Sequence, residues 1–116
     1  MNDPLEAVRS RFATGKSPVI SVPVGWYGIV ADLDVALVDA MPDIKYLGIT
    51  QKQGGLRVYV QPWDAQVDAL IWKAEQRADR TCEKCGAPGI LRQYDGKLMR
   101  VCDSCKTRRG EAESDV

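Results

Sequence analysis

Cys82-x-x-Cys85 and Cys102-x-x-Cys105 contain every cysteine in the chain. Two Cys-x-x-Cys pairs set about fifteen to twenty residues apart have the spacing of a structural zinc site. Four thiolates close a tetrahedral shell around Zn²⁺ and leave no open position for water or substrate, so such a metal builds a fold rather than performing a reaction. The competing uses of four thiols fit less well. No apolar signal segment opens Met1-Asn2-Asp3-Pro4, so secreted disulfides are not expected. A redox Cys-x-x-Cys needs one pair beside a βαβ pattern, and none is visible. An iron–sulfur cluster also takes four thiolates and is only weakly disfavoured by spacing. Turn chemistry favours zinc: Cys85-Gly86 followed by Ala87-Pro88-Gly89 makes a tight knuckle in which backbone N–H groups approach sulfur.

The chain around this cluster carries no other obvious chemistry. It has no histidine, which removes the commonest general base near neutral pH. No paired constellation of carboxylates, tyrosines and lysines stands out, and no catalytic residue is assigned. Gly15-Lys16-Ser17 suggests a phosphate loop, but Ser10 stands where the motif needs its first glycine. The formal net charge is zero, which argues against a generic polyanion binder. Its distribution is uneven: residues 80–109 carry eight basic side chains against three acidic ones, a local +5. A zinc–tetrathiolate centre, formally −2, lowers that to about +3. Candidate contacts to a partner or a nucleic acid are Arg57, Tyr59, Arg92, Tyr94, Lys97, Arg100, Arg108 and Arg109.

The elements that must position these residues read as an α+β protein, an αββα core with a C-terminal zinc ribbon or treble-clef-like module. Asp3 as N-cap and Pro4 at the first helical position open a short helix over Leu5–Phe12. Val19–Val24, with Pro18 and Pro23, is an extended edge strand or docked arm. Trp26, Ile29, Val30, Leu33, Leu37 and Met41 recur at helical steps, predicting a helix from about Gly25 to Ala40. Asp32, Asp34 and Asp39 lie off that stripe and read as a solvated acidic face. Two strands follow, Ile44–Thr50 and Leu56–Gln61, with a connection longer than a minimal turn. Asp64 caps a second helix reaching about Arg80, with a stripe of Val67, Leu70, Ile71, Ala74 and Ala78. That helix enters Thr81-Cys82 without a linker, so the metal module should pack rigidly on the core. Ile90–Gln93 and Leu98–Val101 form a hairpin around Asp95-Gly96. The division is an arm (1–24), a helix–hairpin–helix core (25–80), a four-cysteine module (81–109) and an acidic tail (110–116).

Gly25-Trp26 opening a helix, Lys52-x-Gly54-Gly55-Leu56-Arg57-x-Tyr59, and Cys82-Glu83-x-Cys85-Gly86-Ala87-Pro88-Gly89 together resemble a family of small bacterial and phage proteins. Members of that family read Lys-Glu-Lys-Phe-Gly-Gly-Leu-Arg between the strands and end in a cysteine module. Thr50 and Gln53 depart from that pattern, and a second Cys-x-x-Cys stands where relatives can carry Cys-x-x-His. The resemblance covers about residues 25–105 and implies the architecture and a bacterial or phage origin, but no activity. The resulting expectation is a non-catalytic, zinc-stabilised module in bacterial cytoplasm, or host cytoplasm if phage-encoded. A protein partner comes first and nucleic acid second, with no membrane and no small-molecule substrate.

Overall fold

A computed structural model describes residues 5–13, 19–94 and 97–105. Asp3 and Pro4, the Gly15-Lys16-Ser17 triplet, the Asp95-Gly96 turn, Arg108, Arg109 and the acidic tail lie outside the described residues. The elements in order are α1 (Glu6–Arg9), β1 (Ile20–Ser21), α2 (Tyr27–Ala40), β2 (Lys45–Lys52), β3 (Gly55–Gln61), α3 (Ala65–Ala78), β4 (Ile90–Tyr94) and β5 (Lys97–Val101). A turn of 3₁₀ helix over Val24–Trp26 leads into α2. The fold is α+β, with the four cysteines gathered in its C-terminal region.

The helical periodicity in the sequence is realised closely. Trp26, Ile29, Val30, Leu33 and Leu37 of the α2 stripe and Val67, Ile71, Ala74 and Ala78 of α3 are buried in one core. Asp64 caps α3 as expected, its Oδ1 accepting a 2.8 Å hydrogen bond from the Val67 N–H. The first sheet has the order β1-β2-β3, with β1 parallel and β3 antiparallel to β2. A register shift between Tyr46 and Gly48 marks a bulge. It explains why Tyr46 and Ile49, an odd number of positions apart, both face the core despite the two-residue alternation of a regular strand.

One local expectation changes. The β2–β3 connection is a minimal two-residue turn: Lys52 pairs with Gly55, and Gln53 and Gly54 both take positive φ, 53° and 80°. Such turns match the twist of the flanking strands, so the hairpin closes without the longer loop that the sequence suggested. The extended segment expected at Val19–Val24 contains the edge strand β1, and the N-terminal residues 5–13 are built into the core as well. Leu5, Val8 and Phe12 are buried in it, Phe12 bridges Tyr46, and the Ala13 N–H donates to the Tyr46 carbonyl.

The acidic face assigned to α2 is corrected at Asp34, which is only 3% exposed. Arg11 Nε reaches both of its oxygens, at 3.0 and 3.2 Å, and the Tyr46 hydroxyl donates to Oδ1 at 2.6 Å. Asp34 therefore ties the N-terminal segment and β2 to α2. Its partners lie far away in sequence, so helical position alone made it look solvated. Asp32 does lie at the surface, paired with Arg77 at 2.8 Å.

Asp34→Ala leaves a hydroxyl and a guanidinium without their acceptor, and is expected to cost about 3 kcal/mol in urea unfolding. Tyr46→Phe should cost about 1 kcal/mol. Burial, and then the bond to Asp34 and its charge, push the Tyr46 hydroxyl above the usual tyrosine range. The folded chain thus keeps a proton that the unfolded chain loses near its ordinary value of 10.0. This contribution to stability is complete below about pH 10 and declines above it. Tyr46→Phe should flatten that alkaline decline, and an unchanged profile would refute the assignment.

Candidate metal centre

The knuckle, β4, β5 and a helical turn at residues 103–105 place the four sulfurs together. The Sγ atoms of Cys82, Cys85, Cys102 and Cys105 all lie within 4.8 Å of one another. Cys85 and Cys102 Sγ are 3.6 Å apart. In a tetrahedron with metal–sulfur bonds of about 2.3 Å, sulfurs sit about 3.8 Å apart, so the cluster has the dimensions of a closed tetrathiolate shell. Backbone donors point at the sulfurs as well: the Lys84 N–H reaches Cys82 Sγ and the Cys105 N–H reaches Cys102 Sγ, each at 3.4 Å. Burial pushes the Cys82 thiol up, but hydrogen bonds from the backbone outweigh it and lower that thiol to about 6. The Cys105 N–H likewise lowers Cys102. Both shifts favour the thiolate, the form that binds metal.

The packing supports the same conclusion. The module has its own small core of Cys82, Val101, Cys102 and Cys105, with Ala87 and Met99 packed against it. Three of those four buried residues are thiols, leaving too little apolar burial to hold a hairpin of five-residue strands. The cluster can hold a metal ion, and the module's stability then comes from coordination.

A residue between the first two cysteines docks this module on the core. Glu83 is 4% exposed. Its Oε1 accepts from Gln51 Nε2 at 3.0 Å and its Oε2 from the Arg100 N–H at 2.7 Å. Its own N–H donates to the Arg100 carbonyl, and its carbonyl accepts from the Gly25 N–H. Gly25 has no alternative here, because a Cβ would lie 2.1 Å from the Cys82 carbonyl oxygen and 2.6 Å from Glu83. Beside it, buried Trp26 donates from Nε1 to the Thr81 carbonyl at 3.0 Å. At the other end of the seam the β2–β3 turn meets the metal hairpin. A Cβ on Gly54 would fall 2.8 Å from Leu91 Cδ1, and the Gly54 carbonyl accepts from Arg100 Nε at 2.9 Å.

The candidate contact residues are not brought together. Arg100 is turned inward, bonding Gly54 and the Asp79 carbonyl and pairing with the Asp79 carboxylate at 3.3 Å. Arg92 Nη2 pairs with Asp103 Oδ1 at 2.9 Å. Tyr94 and Lys97 form the last pair of the β4–β5 ladder, and Arg108 and Arg109 lie outside the described residues. Arg57 and Tyr59 stand on the other sheet, where Arg57 Nη1 donates to the Leu56 carbonyl and Tyr59 is half exposed. Glu83 was missed. Its sole sequence signal was its place inside the Cys-x-x-Cys knuckle. Against known protein families, curated proteins and solved structures, the chain matches none. Among the described residues no helix is long and apolar enough to cross a membrane.

Cys85→Ser should reduce bound metal from about one ion per chain to near zero by elemental analysis, and amide exchange should show β4 and β5 losing protection while α2 and α3 keep theirs. Glu83→Ala strands the Gln51 amide and the Arg100 N–H, and is expected to destabilise docking by about 2–4 kcal/mol. Metal retention with unchanged exchange at Gly25 and Arg100 in that variant would show that Glu83 does not hold the seam.

Proposed function

We propose that this chain is a zinc-stabilised, non-catalytic recognition module that binds a protein partner through aromatic side chains of the β3–α3 segment. The carrying observation is the exposure of two tryptophans. Trp26 is fully buried, whereas Trp63 is 62% and Trp72 57% exposed. An indole brings a large apolar area, about 150–250 Å² when buried, and tryptophan is the residue type most enriched among the anchors of protein interfaces. Trp63 immediately precedes the capped start of α3, and Trp72 lies within that helix. Trp72 therefore rides on a rigid element whose other face is locked into the core, and Trp63 stands just before its capped start.

The engagement of the module's arginines points the same way. A surface built to bind phosphate backbones would leave its guanidiniums free. Arg100 instead bonds the core and Arg92 bonds Asp103, so two of the eight positive charges counted in residues 80–109 serve internal contacts. Zinc is the metal that best fits four thiolates in a closed tetrahedral arrangement without a redox task.

Native mass spectrometry of protein purified without added metal should show one Zn²⁺ per chain, and a coloured iron–sulfur chromophore would overturn the metal assignment. For the partner, tagged zinc-loaded chain should retain a defined protein from bacterial lysate. Trp63→Ala and Trp72→Ala should each reduce that retention at least about tenfold, the loss expected of an interface anchor, with no change in zinc content. Equal retention by both variants, or none by the parent chain, would sink the reading.

A further inference from the structure

Among the described residues the helices pack on the side of the β1-β2-β3 sheet where Tyr46, Ile49, Leu56 and Val58 are buried. On the opposite side the cross-strand pairs are Lys45 with Gln61, Gly48 with Tyr59, Thr50 with Arg57, and Lys52 with Gly55. Ser21 of β1 lies beside Thr50. Tyr59 is 52% exposed. It lies against Gly48, where an added Cβ would be 3.8 Å from its ring, so the glycine supports the aromatic group from one side and leaves the rest open. Lys45 and Lys52 are exposed towards the two ends of this face and make no ion pair with any described residue. Arg57 is held more closely, by the Leu56 carbonyl and by the charge of Glu75. No aspartate or glutamate occurs anywhere from Ile44 to Trp63.

From this arrangement we infer that the open face of the sheet is a binding surface for single-stranded nucleic acid, with a base stacked on Tyr59 and phosphates met by Lys45 and Lys52. An aromatic ring among unpaired cations is the arrangement single strands use, because every base offers a π face and the backbone requires only positive charge along its path. A protein partner's apolar core would find little here: apart from half-buried Leu47 at the bulge and exposed Val19 just before β1, the outward positions are glycine, polar, cationic or Tyr59. The seven residue steps from Lys45 to Lys52 span about 20 Å, enough for roughly four nucleotides. A duplex keeps its bases stacked inside and cannot offer one to Tyr59. Trp72 lies on α3, away from these strand pairs, whereas Trp63 follows Gln61 by two residues just beyond the end of the face.

The test is fluorescence anisotropy of labelled oligothymidylate and oligouridylate, each about twelve nucleotides long, with zinc-loaded full chain at about 50 mM salt. Saturable binding is expected, with a log–log salt slope of about −1.4 from the two lysines of the face. Tyr59→Ala should weaken it at least about fivefold. Lys45→Gln and Lys52→Gln should each reduce the slope by about 0.7. Lys73→Gln on α3 makes the same charge change elsewhere and should leave binding unaltered. Three outcomes overturn the inference: no binding at low salt, a duplex binding as tightly as the single strand, or a loss from Lys73→Gln equal to that from the sheet lysines.

Discussion

The seam between the metal module and the core depends on one buried carboxylate. Glu83 sits in the first knuckle, so coordination of Cys82 and Cys85 would fix its backbone, and its side chain then spans from Gln51 on β2 to the backbone of Arg100 on β5. Its main chain completes the junction by meeting Gly25 at the approach to α2. A carboxylate withdrawn from water is tolerable only when its lone pairs are satisfied, and here every partner belongs to a different element. The cysteine cluster, the knuckle, the helix start and the two hairpins are consequently one mechanical unit. The absence of any linker between α3 and Cys82 strengthens this unit, because the Gly89 N–H returns to the Arg80 carbonyl just beyond the helix.

A second polar network, Arg11–Asp34–Tyr46, does for the N-terminal segment what Glu83 does for the metal module. Such buried groups contribute little net stability compared with an apolar core of equal volume, but removing one partner is costly. Their effect here is to fix register. Tyr46 sits at the bulge of β2, and anchoring its hydroxyl to α2 keeps the strand from slipping by one residue and turning its apolar set outward. The two networks grip β2 near its opposite ends, at Tyr46 and at Gln51, so the central strand of the sheet is pinned to both α2 and the metal module.

What the sequence revealed was whatever depends on neighbours along the chain. Helical periodicity identified α2 and α3, Asp64 announced its cap, strand alternation placed Leu56 and Val58 inside, and cysteine spacing located the metal cluster. What it concealed were side chains whose partners are distant. Asp34 occupies a position off the apolar stripe and looks solvated until Arg11 and Tyr46 arrive. Arg100 contributes a visible positive charge, but nothing local reveals that Gly54 and Asp79 will consume its donors. The β2–β3 turn was misjudged for another reason: Gln53 is a poor advertisement for positive φ, and the need for Gly54 comes from Leu91 on another hairpin.

These concealed contacts change how charge should be read for function. Counting lysines and arginines along residues 80–109 put the electrostatic weight on the metal hairpin, yet a cation matters to a partner only if the fold has not already engaged it. Arg100 and Arg92 are engaged, whereas Lys45 and Lys52, which lie outside the basic cluster, pair with no acidic group among the described residues. The same separation applies to the aromatic residues. Trp26 is committed to the seam, while Tyr59, Trp63 and Trp72 are not. The metal module thus serves the protein mainly as a brace. By taking up Gly25, Gln51 and Gly54 it stiffens both α2 and the β2–β3 hairpin, so the binding proposed for the sheet face and for α3 would require little further ordering of either element.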